Sequence, residues 1–209
     1  MHERDGIPRR RLFRIGGTTV AAAVVLAACQ DTGGDDTSAD EGARPSPSDR
    51  ELLRTASSLD ELAVVVYQTV IESGLVSTPD AMDNLELFRR HHRAHAELFA
   101  SATADAGGQP FREPNPVVRA SLQPALDAAT NEAAALALTL EIERLLAETY
   151  QSFVGAFSDR GFDVATMSVG GTEARHAAVL GPLVGRPAAP VAFQPTGVAV
   201  ASGTGLRGA

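Results

Sequence analysis

The stretch that most constrains this chain is Leu85 to Ala102, LELFRRHHRAHAELFASA. Alternating steps of three and four residues along it define one stripe of a helix, formed by Leu85, Phe88, His92, His95, Phe99 and Ala102. The arginines of the stretch fall off this stripe, so the opposite face is expected to be solvated. Two imidazoles one helical turn apart in an apolar stripe therefore need a chemical explanation.

A second stripe repeats the pattern near the end of the chain. It consists of Val169, Glu173, His176, Leu180 and Leu183, with Glu-x-x-His where the first stripe has His-x-x-His. Each motif is preceded by an acid and a tyrosine seven positions apart. These pairs are Asp60 with Tyr67 and Glu143 with Tyr150. The repetition predicts two similar helical hairpins.

The predicted fold class is all-α, an antiparallel four-helix bundle over residues 48–184 whose two hairpins are joined by a long crossover. The predicted helices cover about 48–73, 78–107, 125–157 and 164–183. Residues 108–124 hold four prolines, so they are predicted to cross over along the bundle rather than to form one helix. Residues 185–209 are rich in proline and glycine and predict an extended tail.

Six polar residues occupy positions where these stripes expect apolar side chains. They are Asp60, His92, His95, Glu143, Glu173 and His176. Left unpaired in a bundle core they would cost several kcal/mol each, so they must satisfy one another or bind something. Imidazole and carboxylate groups from four helices are typical ligands of iron, manganese or zinc. A hydrogen-bonded core without metal is the alternative.

Four other polar residues have simpler interpretations. His91 lies off the stripe and is expected at the surface, although a shifted register would let it replace His92. Glu148 lies away from the stripe of its helix and is expected to be solvated. Tyr67 and Tyr150 are expected to be core residues that hydrogen bond to the acids of the stripes.

On these motifs the chain resembles the ferritin-like superfamily over about residues 48–184, and more closely its exported actinobacterial members. The resemblance implies a carboxylate from the first and third helices and Glu-x-x-His from the second and fourth, around a dinuclear metal site. Asp60, His92 with His95, Glu143, and Glu173 with His176 are the matching positions. His92 stands where the family has a bridging Glu, and Asp60 is shorter than the usual Glu. One metal ion, two ions and none therefore remain open.

The N-terminus predicts export. Arg10 and Arg11 resemble a twin-arginine signal, residues 15–28 form a short apolar run, and Leu26 to Cys29 resemble the lipobox of bacterial lipoproteins. We expect residues 1–28 to be removed, Cys29 to carry a lipid, and residues 29–47 to form a flexible tether. Cys29 is the only cysteine in the chain. A plain cleaved signal with an incidental cysteine is the alternative.

The net charge of the chain argues against one class of partner. The chain carries a net charge of −8, and loss of the basic signal segment would make it −11. Such a body repels nucleic acid, so we expect none as a partner. The expected location is the extracytoplasmic face of the cell membrane, through the lipid on Cys29, and a homodimer is compatible with the sequence. The predicted function is transition-metal binding, most readily iron, with enzymatic redox activity left open. The rival is a metal-free, non-catalytic scaffold that binds a partner.

Overall fold

A computed structural model describes residues 45–206 of the chain. The predicted signal segment, Cys29 and most of the predicted tether lie outside the described residues. Within them the chain forms five helices and no strands: α1 (Pro47–Glu72), α2 (Pro79–Asp105), α3 (Pro116–Ala128), α4 (Glu132–Phe153) and α5 (Arg160–Leu183). None of the helices in this range is long and apolar enough to cross a membrane.

Local sequence signals set the ends of the first hairpin. Ser46 caps α1 in a capping box with Asp49, and Pro79 occupies the first turn of α2, where its missing N–H costs nothing. Gly74 has a φ of 67°, a conformation that only glycine adopts without strain, and it lies just after α1. These ends agree with the sequence prediction to within two residues.

The four long helices form an antiparallel bundle. Ser57 of α1 hydrogen bonds to the carbonyl of Ala96 on α2, whereas Tyr67, further along α1, packs on Phe88, which lies earlier in α2. The same reversal relates α4 to α5, since Glu143 contacts His176, whereas Tyr150, later in α4, lies against Gly170, which is earlier in α5. Near Tyr150 a Cβ atom on Gly170 would lie only 3.0 Å from the tyrosine Cβ, so the glycine permits close approach of α4 and α5. The predicted all-α bundle is confirmed.

The crossover differs from the prediction. Residues 116–128 form a helix of their own, α3, and the chain breaks at Ala129 to Asn131 before α4 begins at Glu132. The prediction that a single helix starts near residue 125 was wrong. Asn115 caps α3 and Pro116 occupies its first turn, so the prolines begin this helix instead of preventing it.

The tail packs along the bundle. The backbone N–H groups of Val198 and Val200 donate to Glu148 and Thr149 of α4, and that of Gly203 donates to Thr55 of α1. Glu148 is consequently only 2% exposed, which overturns the prediction that it is solvated. A distant segment supplies the donor that makes its burial tolerable.

Candidate metal centre

The structure brings all six predicted residues together in the bundle core. α1 supplies Asp60, α2 supplies the two imidazoles of the first motif, α4 supplies Glu143, and α5 supplies the second motif. Their possible ligand atoms form two overlapping groups, each with all atoms within 4.8 Å of one another: Asp60, His92, His95 and Glu173; and His92, Glu143, Glu173 and His176. Metal ligation by them stays a prediction, but their convergence agrees with it.

His92 lies at the middle of this cluster and is fully buried. Its Nδ1 lies 2.9 Å from Oδ1 of Asp60, and its Nε2 lies 2.8 Å from Oε1 of Glu143. Both contacts have hydrogen-bond geometry. The imidazole therefore links the acid of α1 to the acid of α4.

Glu173 has a different environment. Its Oε1 lies 2.8 Å from Nδ1 of His95, and its Oε2 lies 3.1 Å from Nδ1 of His176. Neither contact has the geometry of a hydrogen bond. Nδ1 of His95 and both oxygens of Glu173 are thus buried without a hydrogen-bond partner. Three unpartnered polar atoms next to one another are unusual in a protein core.

Two tyrosines support the acids from the opposite helix. The hydroxyl of Tyr67 on α1 donates to Oε1 of Glu143, and that of Tyr150 on α4 donates to Oδ2 of Asp60. Both tyrosines are fully buried. This exchange between α1 and α4 agrees with the role predicted for the tyrosines, and it fixes the orientation of both carboxylates.

A family model described as a ferritin-like domain matches residues 48–186, which is about two thirds of the chain. The chain belongs to the ferritin-like domain family. No curated protein matches the chain, and neither does any solved structure. The matched residues of the ferritin-like domain contain the whole cluster and all four long helices apart from Pro47, the first residue of α1.

Burial and charge oppose each other at the carboxylates of the ferritin-like domain. Burial alone would raise the pKa of each acid. At Asp60 the hydrogen bond from His92 and the proximity of His95 outweigh burial and lower the pKa, and at Glu143 the positive charge of His92 does the same. At Glu173 burial prevails over the attraction of His92, and the charge of Glu143 adds to it, so the pKa is raised.

The imidazoles show the opposite balance. Burial alone would lower their pKa values, but the charges of Glu143 and Glu173 raise the pKa of His92 well above its ordinary value. Contacts with Asp60 and Glu173 raise the pKa of His95 to about 9, and the pKa of His176 is also raised. Protons can therefore balance the negative charge of the cluster.

His91 belongs to the edge of the cluster, which the sequence prediction missed. It is half-buried, and its Nδ1 lies 2.9 Å from Nε2 of His176. The ring of His176 also stacks on Phe88, with centroids 3.9 Å apart. The spacing contained a signal for this, because His91 follows Phe88 by three positions and precedes His95 by four, as neighbours on one helix face do.

The donor set fits a transition-metal ion. Buried imidazole nitrogens and carboxylate oxygens are the ligands that iron, manganese and zinc accept. The unpartnered atoms of His95 and Glu173 already lie close together, and an ion would satisfy them where hydrogen bonds do not. The ferritin-like domain therefore contains a buried group of His, Glu and Asp side chains that could hold a metal ion.

Proposed function

We propose that this ferritin-like domain protein binds a transition-metal ion within its helical bundle, with iron as the favoured metal and manganese or zinc as alternatives. The observation that carries the proposal is the set of three buried atoms without hydrogen-bond partners, Nδ1 of His95 and both oxygens of Glu173. An unmade hydrogen bond to a buried polar atom costs about 1–3 kcal/mol, and more for a charged group. A cation ligated by His95 and Glu173 offsets that cost.

The ligands would be drawn from the six residues of the cluster. When bound, iron or manganese would supply redox chemistry with dioxygen or a peroxide as the oxidant. The protein would orient the ligands and exclude water from the metal. Tyr67 and Tyr150 hold the carboxylates of Glu143 and Asp60, and the surrounding helices leave little of the cluster exposed. Such support from residues around the ligands is typical of metal sites.

Metal content tests this proposal. The purified full-length chain is incubated with Fe²⁺ under anaerobic conditions, or with Mn²⁺ or Zn²⁺, freed of unbound metal, and analysed for metal per chain. Glu173→Gln keeps the size of the side chain but removes its charge. We expect it to weaken binding at least about tenfold, since even residues that only support ligands contribute that much.

Glu148→Gln is the matched control, because Glu148 is an equally buried helical glutamate that accepts from the tail instead of facing the cluster. We expect its metal content to equal that of the wild type. A folded wild-type chain that binds none of the three metals, and whose melting temperature none of them raises, would contradict the proposal.

A metal-free scaffold is the second candidate function. The observation in its favour is the pairing of His92 with Asp60 and Glu143, which satisfies much of the cluster without any ion. The raised pKa values of the imidazoles point in the same direction, since protons can balance the acids. The metal measurement above separates the two candidates.

We further propose that the protein is exported and held at the extracytoplasmic face of the membrane by a lipid on Cys29. The support is the sequence alone, namely the arginine pair, the short apolar run and Leu26 to Cys29. The polar stretch that follows, rich in Gly, Ser, Asp and Pro, would let the folded domain stand away from the membrane surface.

A further inference from the structure

The polar atoms of the cluster are not satisfied equally on its two sides. We define the Asp60 side as Asp60, His95 and Oε1 of Glu173, and the Glu143 side as Glu143, His176 and Oε2 of Glu173. His92 lies between them, with one ring nitrogen toward each. An ion can be held only where ligand atoms are free to turn toward it, so the two sides can be compared atom by atom.

The Glu143 side is almost fully occupied by hydrogen bonds. Oε1 of Glu143 accepts from Tyr67 and from His92, and Oε2 lies 3.2 Å from Nδ1 of His176. The other nitrogen of His176 contacts His91. Only Oε2 of Glu173 on this side lacks a partner. An ion here would have to break several hydrogen bonds in a buried environment, where each is costly to lose.

The Asp60 side has open ligand atoms. Nδ1 of His95 and Oε1 of Glu173 have no hydrogen-bond partner. Oδ1 of Asp60 lies 3.6 Å from Nδ1 of His95 and accepts one hydrogen bond, from His92. A carboxylate oxygen has two lone pairs, so Oδ1 can accept that bond and still ligate. His95 is also the most exposed of the six side chains, at 14%, which gives this side the nearer route to solvent.

We propose that the bundle holds a single metal ion on the Asp60 side, ligated by Asp60, His95 and Glu173, and that His92 acts as a positioning residue that hydrogen bonds to Asp60 and Glu143 and excludes a second ion. This inference rests on the proposed metal-binding function. Three protein ligands leave at least one coordination position open, as in sites where a small molecule reacts at the metal.

Mn²⁺ gives a direct test in the full-length chain. We expect about one tightly bound ion per wild-type chain, with an electron paramagnetic resonance spectrum free of exchange coupling between ions. His92→Glu would give α2 the same Glu-x-x-His motif that α5 has at Glu173 and His176. A carboxylate there presents two oxygens without donating a hydrogen bond, so we expect about two ions per chain.

Two comparisons control for charge and for the side of the cluster. Arg93→Glu adds a carboxylate on the exposed face next to His92, and we expect it to keep about one ion. His95→Ala should lose the ion, whereas His176→Ala should keep it. Helix content from circular dichroism is recorded for every variant, and only folded variants are compared.

Two exchange-coupled ions in the wild type would overturn the inference and leave the proposed function standing. So would an ion that survives His95→Ala but is lost in His176→Ala. A folded wild type without any bound ion would refute the proposed function itself, and the inference with it. The number of ions bound by the wild type tests the inference by itself, so the inference can be refuted even if a variant fails to fold.

Discussion

At the scale of single residues, the cluster shows how neighbours change the proton affinity of a buried group. His95 is mostly buried, which alone would lower its pKa, yet its contacts with Asp60 and Glu173 raise the pKa to about 9. His91, one turn earlier on the same helix, faces imidazoles instead of acids, and its pKa is lowered by burial and by those neighbours. As the pH rises, the loss of the proton from His95 should therefore lower the stability of the fold, whereas the loss of the proton from His91 should raise it.

The metal-free chain should lose stability as the pH rises. The folded state keeps the proton on His95 up to a pH of about 9, whereas the unfolded chain releases it near a pKa of about 6.5. The stabilisation from this proton is complete below the unfolded pKa and is lost as the pH passes through the folded pKa. We expect the melting temperature, measured with a chelator present, to fall between pH 7 and pH 10.

Two variants assign the effect to His95. His95→Gln should make this fall shallower, whereas His91→Gln should not, because a lowered pKa affects stability only on the acid side. Metal binding should have the opposite dependence on pH, because the ligands must lose their protons to bind the ion. The rise in melting temperature caused by Mn²⁺ should therefore grow with pH. A pH-independent melting temperature of the metal-free chain would contradict this assignment.

At the scale of elements, one buried side chain joins the crossover to the bundle and to the tail. Oδ1 of Asn115 caps α3 by accepting from Val118, and its Nδ2 donates to Ser58 on α1 and to the carbonyl of Thr204 in the tail. Asn115 is fully buried. Three segments far apart in sequence thus depend on the amide of one residue.

Asn115→Ala should therefore destabilise the protein more than an ordinary loss of a helix cap. We expect the free energy of unfolding to fall by about 2–4 kcal/mol, from the cap together with two buried hydrogen bonds. Asn131→Ala is the matched control, because Asn131 caps α4 in the same way but is exposed, and its loss should cost about 1 kcal/mol. Urea unfolding measures both. Equal losses would show that the bonds to Ser58 and Thr204 contribute nothing.

At the scale of the whole molecule, the acidic chain and its N-terminal segment predict where the protein acts. A net charge of −11 after the predicted removal of the signal would not favour anionic lipid headgroups, so the proposed attachment to a membrane would require a specific anchor. Cys29 is the one residue of the sequence that could carry such a lipid. It lies outside the described residues, and its role stays a prediction.

Cys29→Ser tests the anchor in a bacterial host that matures lipoproteins. We expect the wild type in the membrane fraction and the variant released from it, because one serine removes the attachment point without touching the bundle. Ala39→Ser, in the same polar stretch, should stay with the membrane. If the wild type is already free of the membrane, or if Cys29→Ser remains bound, the lipid proposal is wrong.

The sequence by itself determined that the chain has four long helices, which six polar residues meet in the core, and that tyrosines share the core with the acids. These follow from spacings of three, four and seven residues, which place side chains on one face of a helix whatever the rest of the chain does. The sequence also contained a signal for the start of α3, because Asn115 is a helix cap and Pro116 suits a first turn. The many prolines nearby led instead to the prediction of a crossover without a helix.

Only the tertiary structure decided how these residues are paired and which of their atoms remain free. Glu148 is buried because the tail donates a backbone N–H to it, and His91 reaches the cluster because α5 brings His176 beside it. His92 uses both ring nitrogens in hydrogen bonds, whereas Nδ1 of His95 and both carboxylate oxygens of Glu173 have no hydrogen-bond partner. Hydrogen-bond satisfaction depends on directions and distances between separate helices, and helical periodicity carries no information about either.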